Sequence, residues 1–206
     1  MRTTKVLGTV AVAAGLTAAF LRFRRWHHAW GATDDEATMP MPGDEIVLAP
    51  SFAPTRAITI DAPPEAVWPW LVQIGYGRAG FYSYDVLDNL GRGRSADHVV
   101  PGLQDLAVGD WIPMAPNVTE ETAFRVHSLE PGRAMVWAKP ASTWSWQLTP
   151  LPAGRTRLVA RLRQRYRWNR PQVVADLLLM ELADFFMMRK ELLSIRERAE
   201  TAAPAI

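Results

Sequence analysis

The sequence predicts an α+β chain: a twisted antiparallel sheet wrapped around one long C-terminal helix, two short helices after the first strand, and a hydrophobic helix at the N-terminus. Three observations predict it. Residues 172–203 hold neither glycine nor proline and repeat apolar residues at helical spacing. Between residues 106 and 168, five short segments rich in β-branched and aromatic residues alternate with turn sequences such as EPGR, KPAS and PLPAGR. One strand-like and two helix-like stretches come before them. A sheet of this kind has one apolar face to bury, and a long amphipathic helix can cover it.

Residues 1–30 carry five Lys or Arg and no acid. Residues 6–21, VLGTVAVAAGLTAAFL, are uncharged, and Arg22, Arg24 and Arg25 follow. A spanning helix needs about 20 apolar residues, with about 17 as a lower limit. Taken with Phe23 and Trp26 as interfacial residues, 5–26 reads as a single membrane anchor. The heavier basic flank on its C-terminal side places the rest of the chain in the cytoplasm. A cleaved signal peptide, giving an exported protein, is the alternative. His27 and His28 read as interfacial. Residues 31–54 hold five acids and four prolines without periodicity and read as an acidic tether or lead-in. The expected organisation is anchor 1–30, linker 31–54, ligand-binding domain 55–200 and tail 201–206.

TRAITID at 55–61 reads as the first strand. PPEAVWPWLVQIG then opens with Pro64, carries Glu65 in its first turn and stops at Gly75, which is a helix signature. Pro69 predicts a kink or a late start. A short helix over 84–90 follows, with Ser83 as N-cap and Gly91 beyond its end. Among the later strands, Trp144, Trp146 and Leu148 share one face. On the last strand, Leu158, Ala160, Leu162 and Tyr166 lie opposite Arg155, Arg157, Val159, Arg161, Arg163, Arg165 and Arg167. That arginine ladder reads as a solvated face, or as a contact for anionic lipid beside the membrane. In the final helix the stripe is Val173, Leu177, Met180, Asp184, Met188, Leu192 and Ile195, wide enough to be covered over its first turns. Asp184 is the charge on that stripe.

Composition narrows the chemistry. There is no cysteine, so disulfides and thiolate catalysis are out. No H-E-x-x-H, no two-His-carboxylate spacing and no nucleophile elbow occurs, so neither a metal nor a cofactor is expected. Nucleic acid is not expected, because no recognition motif accompanies the basic residues. Nine tryptophans, each able to bury roughly 150–250 Å², predict an aromatic core or cavity.

TRAITIDAPPEAVWPWLVQIG resembles the first strand and helix of the START-related, polyketide-cyclase-like (SRPBCC) superfamily. GYGRAGFYSYDVLDNLGR at 75–92 and FFMMRKELLSIRERAE at the C-terminus resemble blocks of one branch of it. The resemblance spans about 55–200. It implies the helix-grip fold and a cavity between sheet and helix. It carries no single reaction, since lipid carriers, hormone binders, aromatases and cyclases share the fold.

The glycines of 75–92 are not a nucleotide loop, because a helix rather than a strand precedes them and no parallel crossover follows. Asp85 and Asp88 share a helix face and could serve acid–base chemistry, or could simply be structural. The pocket reading accounts for more of the stretch. The glycines turn the chain; Phe81, Tyr82 and Tyr84 supply apolar bodies and hydroxyls; Tyr76 and Arg78 sit at the mouth. That the aromatics only fill a core stays open. With Trp144, Trp146, Met180, Asp184 and Met188, these residues are the expected ligand site. The expected function is binding, with transport as an extension, of a hydrophobic small molecule or lipid. One alternative is a cyclase- or aromatase-like enzyme in which Tyr82, Tyr84, Asp85 or His98 moves protons. The other is a scaffold with a filled core. His127 shares a strand face with Arg125 and reads as exposed.

Overall fold

A computed structural model of the chain describes residues 2–89, 91, 93–166 and 173–202, with side chains at 14–89, 91, 93–166 and 179–202. Arg92, Arg167, Pro171, the side chains of Val173 and Leu177, and the side chains of the first half of the apolar N-terminal run lie outside these.

The elements are α1 (Arg2–His28), α2 (Asp34–Thr38), β1 (Thr55–Ile60), α3 (Pro64–Val72), α4 (Asp85–Asp88), β2 (Trp111–Pro113), β3 (Ala123–Glu130), β4 (Ala134–Lys139), β5 (Ser142–Leu151), β6 (Arg155–Gln164) and α5 (Val173–Ala202). A single 3₁₀ turn lies between α4 and β2. The strands form one antiparallel sheet in the order β1-β6-β5-β4-β3-β2. Chain reversal at β2 and the return of β6 to β1 put the first and last strands side by side, so the sheet curls around α5.

Alternation along each strand sorts the inner face. Ile58 and Ile60, Leu158 and Ala160, Trp146 and Leu148, Met135 and Trp137 all point into one core. Met188, Leu192, Ile195 and Ala199 of α5 close it, with Val67 and Leu71 of α3. Trp137 faces Trp144 across the β4–β5 pair, and Trp144 stacks on Trp146 with ring centroids 4.8 Å apart.

α3 starts at Pro64 and runs through Pro69. The carbonyl that loses its helical partner belongs to Glu65, which is exposed, so water can satisfy it. α4 is a single turn. Its N-cap is Tyr84 rather than Ser83, because Ser83 is drawn into another bond: its N–H and hydroxyl both donate to the Asp88 carboxylate, at 2.8 and 2.6 Å.

The outer face of the sheet corrects two expectations. Residues 31–54 lie against it, and Arg157, Arg161 and Arg163 of the arginine ladder lie beneath them instead of in water, while Arg155 and Arg165 stay exposed. α2 begins with a capping box between Thr33 and Glu36. The same Glu36 carboxylate takes both Arg157 Nε and Nη2, each at 2.7 Å. Arg161 donates to Asp44 Oδ2 at 2.6 Å and to the carbonyls of Glu36 and Met39. Arg163 donates to Asp44 Oδ1 and to the Val47 carbonyl. Met41 packs on Ala57 and Val159 between these pairs. The cause is charge complementarity between an acidic segment and a basic strand, with carbonyls satisfying the remaining guanidinium donors.

The end of α1 is also part of the body. His27 is buried, Trp26 packs edge-on to Phe185, and the Trp30 carbonyl accepts from Ala57 N–H. On α5 the buried line runs Glu181, Phe185, Met188, Leu192, Ile195 and Ala199. It is rotated from the expected stripe because Glu181 and Phe185 face α1. The first turns are not covered all round, since Leu179, Leu182 and Phe186 are exposed. Among the described residues, no helix is long and apolar enough to cross a membrane.

Candidate functional site

The glycine-rich turn after α3 is closed on itself. Gly75 and Gly80 exchange backbone hydrogen bonds of 3.1 and 3.2 Å. Gly80 has φ +80°, and a Cβ there would lie 2.5 Å from Ser95 Oγ, so only glycine fits. Beyond it the chain makes a left-handed step at Tyr82, φ 58°. A tyrosine adopts this only when its surroundings hold it. Gln73, fully buried, does so: its Nε2 donates to the Tyr82 hydroxyl at 2.7 Å, and its Oε1 accepts from Val100 N–H and Gln104 Nε2. The Tyr82 hydroxyl donates in turn to the Trp70 carbonyl. Burial pushes the Tyr82 phenol up, so it stays a neutral strut.

This step splits the expected site in two. Tyr82, Asp85 and His98 line a groove of about 640 Å³ shared with Lys190, Glu197 and Arg198. That groove is charged and largely solvated. His98 is exposed and bonded to Asp97, and the Asp85 carboxylate is occupied by Ser95 N–H at 2.8 Å. Phe81, on the other side of the step, lines a separate cavity of about 330 Å³ between the sheet, α4 and α5. Trp144, Met180, Asp184 and Met188 line it too. Tyr76, Arg78, Tyr84 and Trp146 do not. Arg78 donates to the Val72 carbonyl and fastens the glycine turn, and Tyr76 packs on the core. Tyr84 is exposed, and Trp146 lies in the core behind Trp144. His127 is exposed.

The cavity is mostly apolar, with Phe52, Phe124 and Leu162 among its walls. Leu87 and Met180, 59% and 49% exposed, mark its mouth. Some of its polar groups are satisfied, Asp88 by Ser83 and Asp184 by Arg56. Glu191, 2% exposed, has a carboxyl oxygen without a partner, and so do the Ser142 hydroxyl and the Trp144 indole N–H. Burial raises the Glu191 carboxyl well above the usual range, and Asp88 and Asp184 add to it. Burial also raises Asp88. Asp184 is raised by burial against the pull of Arg56, whose Nη1 sits 2.6 Å from Asp184 Oδ2. Burial lowers Lys139, which lies over the Phe124 ring, and raises the Tyr166 phenol to about 12. Burial thus favours the neutral form of Glu191, which can both donate and accept.

Glu191 escaped the sequence reading, although a signal was present. It is three residues after Met188 and four before Ile195, which puts it on the buried side of α5.

Its protonation has a measurable consequence. An unfolded glutamate ionises near pH 4.3, whereas in the fold this one ionises well above that. Between the two, the folded chain holds the extra proton, so stability falls as pH rises. Glu191→Gln removes this slope. The variant is expected to match the wild type near pH 4 and to be the more stable of the two at pH 8, because the amide takes up no proton in either state and escapes the pH-dependent loss. Urea unfolding at a series of pH values measures the difference; two curves that stay parallel from pH 4 to 8 refute it.

A second polar cluster lies where α1 meets α5. Arg24 donates through Nε and Nη2 to Glu181, at 3.0 and 2.7 Å. His28 Nε2 is 3.2 Å from Glu181 Oε2 and His27 Nε2 is 3.9 Å from it. Burial lowers both imidazoles, His28 to about 4.

Six antiparallel strands curled about a long C-terminal helix, with two short helices after β1 and a cavity at the helix–sheet seam, make this a helix-grip fold. No protein-family model matches the chain, and no curated protein matches it in sequence. Solved structures do match. A Polyketide_cyc-like protein of Corynebacterium glutamicum is 18% identical, covers 72% of this chain and 91% of its own, and superposes with a TM-score of 0.48. A protein of Chromobacterium violaceum is 14% identical over 72% of this chain and 96% of its own, TM-score 0.43. One of Staphylococcus saprophyticus is 12% identical over 75% and 96%, TM-score 0.42. Superpositions this loose carry no argument about function; the fold assignment stands on the strand order and the helix it grips.

Proposed function

We propose that the protein binds a compact hydrophobic small molecule, or the end of a lipid chain, in the cavity between the sheet and α5. The observation that carries this is the cavity itself, about 330 Å³ walled mostly by apolar side chains such as Phe52, Phe81, Phe124, Trp144 and Leu162. Glu191, Ser142 and Tyr166 on its lining give a bound oxygen function polar groups to meet. About 330 Å³ is the small end of ligand cavities. It suits a one- or two-ring compound, or a single short chain. A filled-core scaffold would have no such space between sheet and helix.

Native mass spectrometry of the full chain, extracted from its own host in detergent, is expected to reveal a co-purifying apolar compound bearing an oxygen function. Recovery of ligand-free protein that no apolar compound stabilises would sink the reading. Trp144→Phe trims the indole on the cavity wall to a single phenyl ring. It is expected to weaken binding of the recovered compound about fivefold, since the lost half of the indole removes roughly 40 Å² of apolar contact worth about 1 kcal/mol.

A cyclase-like reaction is the second reading. The protonated Glu191, rather than Tyr82, Asp85 or His98, would be its proton donor. Glu191→Gln would then bind the compound and fail to turn it over.

The exposed apolar side chains Leu16, Phe20, Leu21, Phe23 and Trp26 of α1, with Leu179, Leu182 and Phe186 of α5, support attachment to a membrane. Arg22 and Arg25, exposed beside them, suit an anionic surface. The cavity mouth at Met180 lies on the same stretch of α5, so a lipid-soluble ligand would enter from that side.

A further inference from the structure

We propose that His27, His28 and Glu181 form a binding site for a divalent transition-metal ion, zinc being one that imidazole and carboxylate ligands suit. The three ligand atoms lie within 4.8 Å of one another. The two histidine–carboxylate separations, 3.2 and 3.9 Å, bracket the roughly 3.3–3.5 Å between ligand atoms around an ion with bonds of about 2.0–2.1 Å.

The plainer account is an ion pair, because Arg24 already neutralises Glu181. That account leaves His27 unexplained. Its Nδ1 is committed to the Phe23 carbonyl at 3.0 Å, which leaves the lone pair on Nε2. Nε2 is buried, faces the cluster and has no hydrogen-bond partner. A backbone carbonyl behind one ring nitrogen and a free lone pair on the other is how a metal-ligating histidine is held. Both rings are fixed by packing, His27 against Phe185 and His28 against Phe52.

Two features oppose a cation and set the test. Arg24 and Arg56 both lie nearby, and Arg24 occupies the carboxylate. Arg24, though, is the most exposed member, with 36% of its side chain in solvent against 19% for His28. A carboxylate can accept from Arg24 and still offer a lone pair to an ion. On binding, the ion displaces the proton of His28 Nε2 to Nδ1 or to solvent. The site joins α1 to α5 and is independent of what fills the cavity.

The full chain, purified in detergent without a polyhistidine tag, is titrated with Co²⁺, then with Zn²⁺. We expect one Co²⁺ per chain, with the intense visible absorption of four-coordination, displaced by Zn²⁺. Zn²⁺ should raise the melting temperature. His28→Gln should abolish the absorption and the Zn²⁺-dependent shift while melting normally without metal. Arg24→Gln should tighten Co²⁺ binding at least tenfold by removing the competitor. No absorption in either the wild type or Arg24→Gln, or absorption that survives His28→Gln, overturns the proposal.

Discussion

Replacing Arg56 by methionine is expected to lower the unfolding free energy by about 3–4 kcal/mol, the range for breaking a buried ion pair from one side. The Arg56 side chain is fully buried; its Nη1 holds Asp184 at 2.6 Å and its Nε donates to the His27 carbonyl at 3.0 Å. Methionine keeps the length of the stem and removes every donor. Asp184 is then left in an apolar wall near Glu181 with no cation against it. Its side chain is 20% exposed, so water softens the loss and the lower end of the range applies. The deficit should be larger at pH 8 than at pH 5, because burial already raises the Asp184 carboxyl and ionisation opposes folding. Adding Asp184→Leu should recover most of it, since an apolar pair of similar volume is often as stable as the ion pair. Equilibrium urea unfolding decides; a loss under about 1 kcal/mol for the single variant would show that Arg56 does not tie α1, β1 and α5 together.

Gly31→Ala is expected to cost about 3 kcal/mol, from left-handed strain of about 1–2 kcal/mol and a backbone clash. Gly31 has φ +74°, and a Cβ there would lie 2.1 Å from the Ala57 carbonyl oxygen. No rotamer relieves that contact, because both partners are main chain. The chain would have to lift off β1, loosening the bond from Ala57 N–H to the Trp30 carbonyl and that from Arg157 Nη2 to Gly31 O. The measurement tests whether residues 29–33 belong to the folded unit. If they are a free tether, the variant unfolds at the same urea concentration as the wild type.

Both results bear on what could be read in advance. The inner face was legible because each signal was local. Alternating Trp144, Trp146 and Leu148 puts three large side chains on one side of a strand, and the helical repeat of Met188, Leu192 and Ile195 supplies the surface to cover them. Trp144, Met180, Asp184 and Met188 could be placed near a cavity on that basis, and Phe81 through the glycine turn that precedes it. Tyr82 could not be sorted from Phe81, since nothing in GRAGFYSYD reveals that the chain steps through φ 58° between them and sends the tyrosine to the other side.

The outer face carried a signal that composition alone did not resolve. Five acids in residues 31–60 and seven arginines in 155–170 are opposite charges in one chain. Each run, taken alone, reads as solvated. Their meeting across more than a hundred residues turns a tether and a bare arginine ladder into a covered sheet face. His27, His28 and Glu181 follow the same pattern, since metal-ligand spacing is sought along a helix or loop and these come from the two ends of the chain.

The sequence by itself determined the strand and helix order, the apolar side of each element and so the gripped helix, because periodicity is a property of neighbours in the chain. Only the tertiary structure decided which charges meet, which aromatics reach the cavity and that burial favours the neutral form of Glu191 in its wall. Those depend on side chains far apart in sequence being desolvated together, and the strength of a charge or a hydrogen bond is set by the neighbours that replace its water.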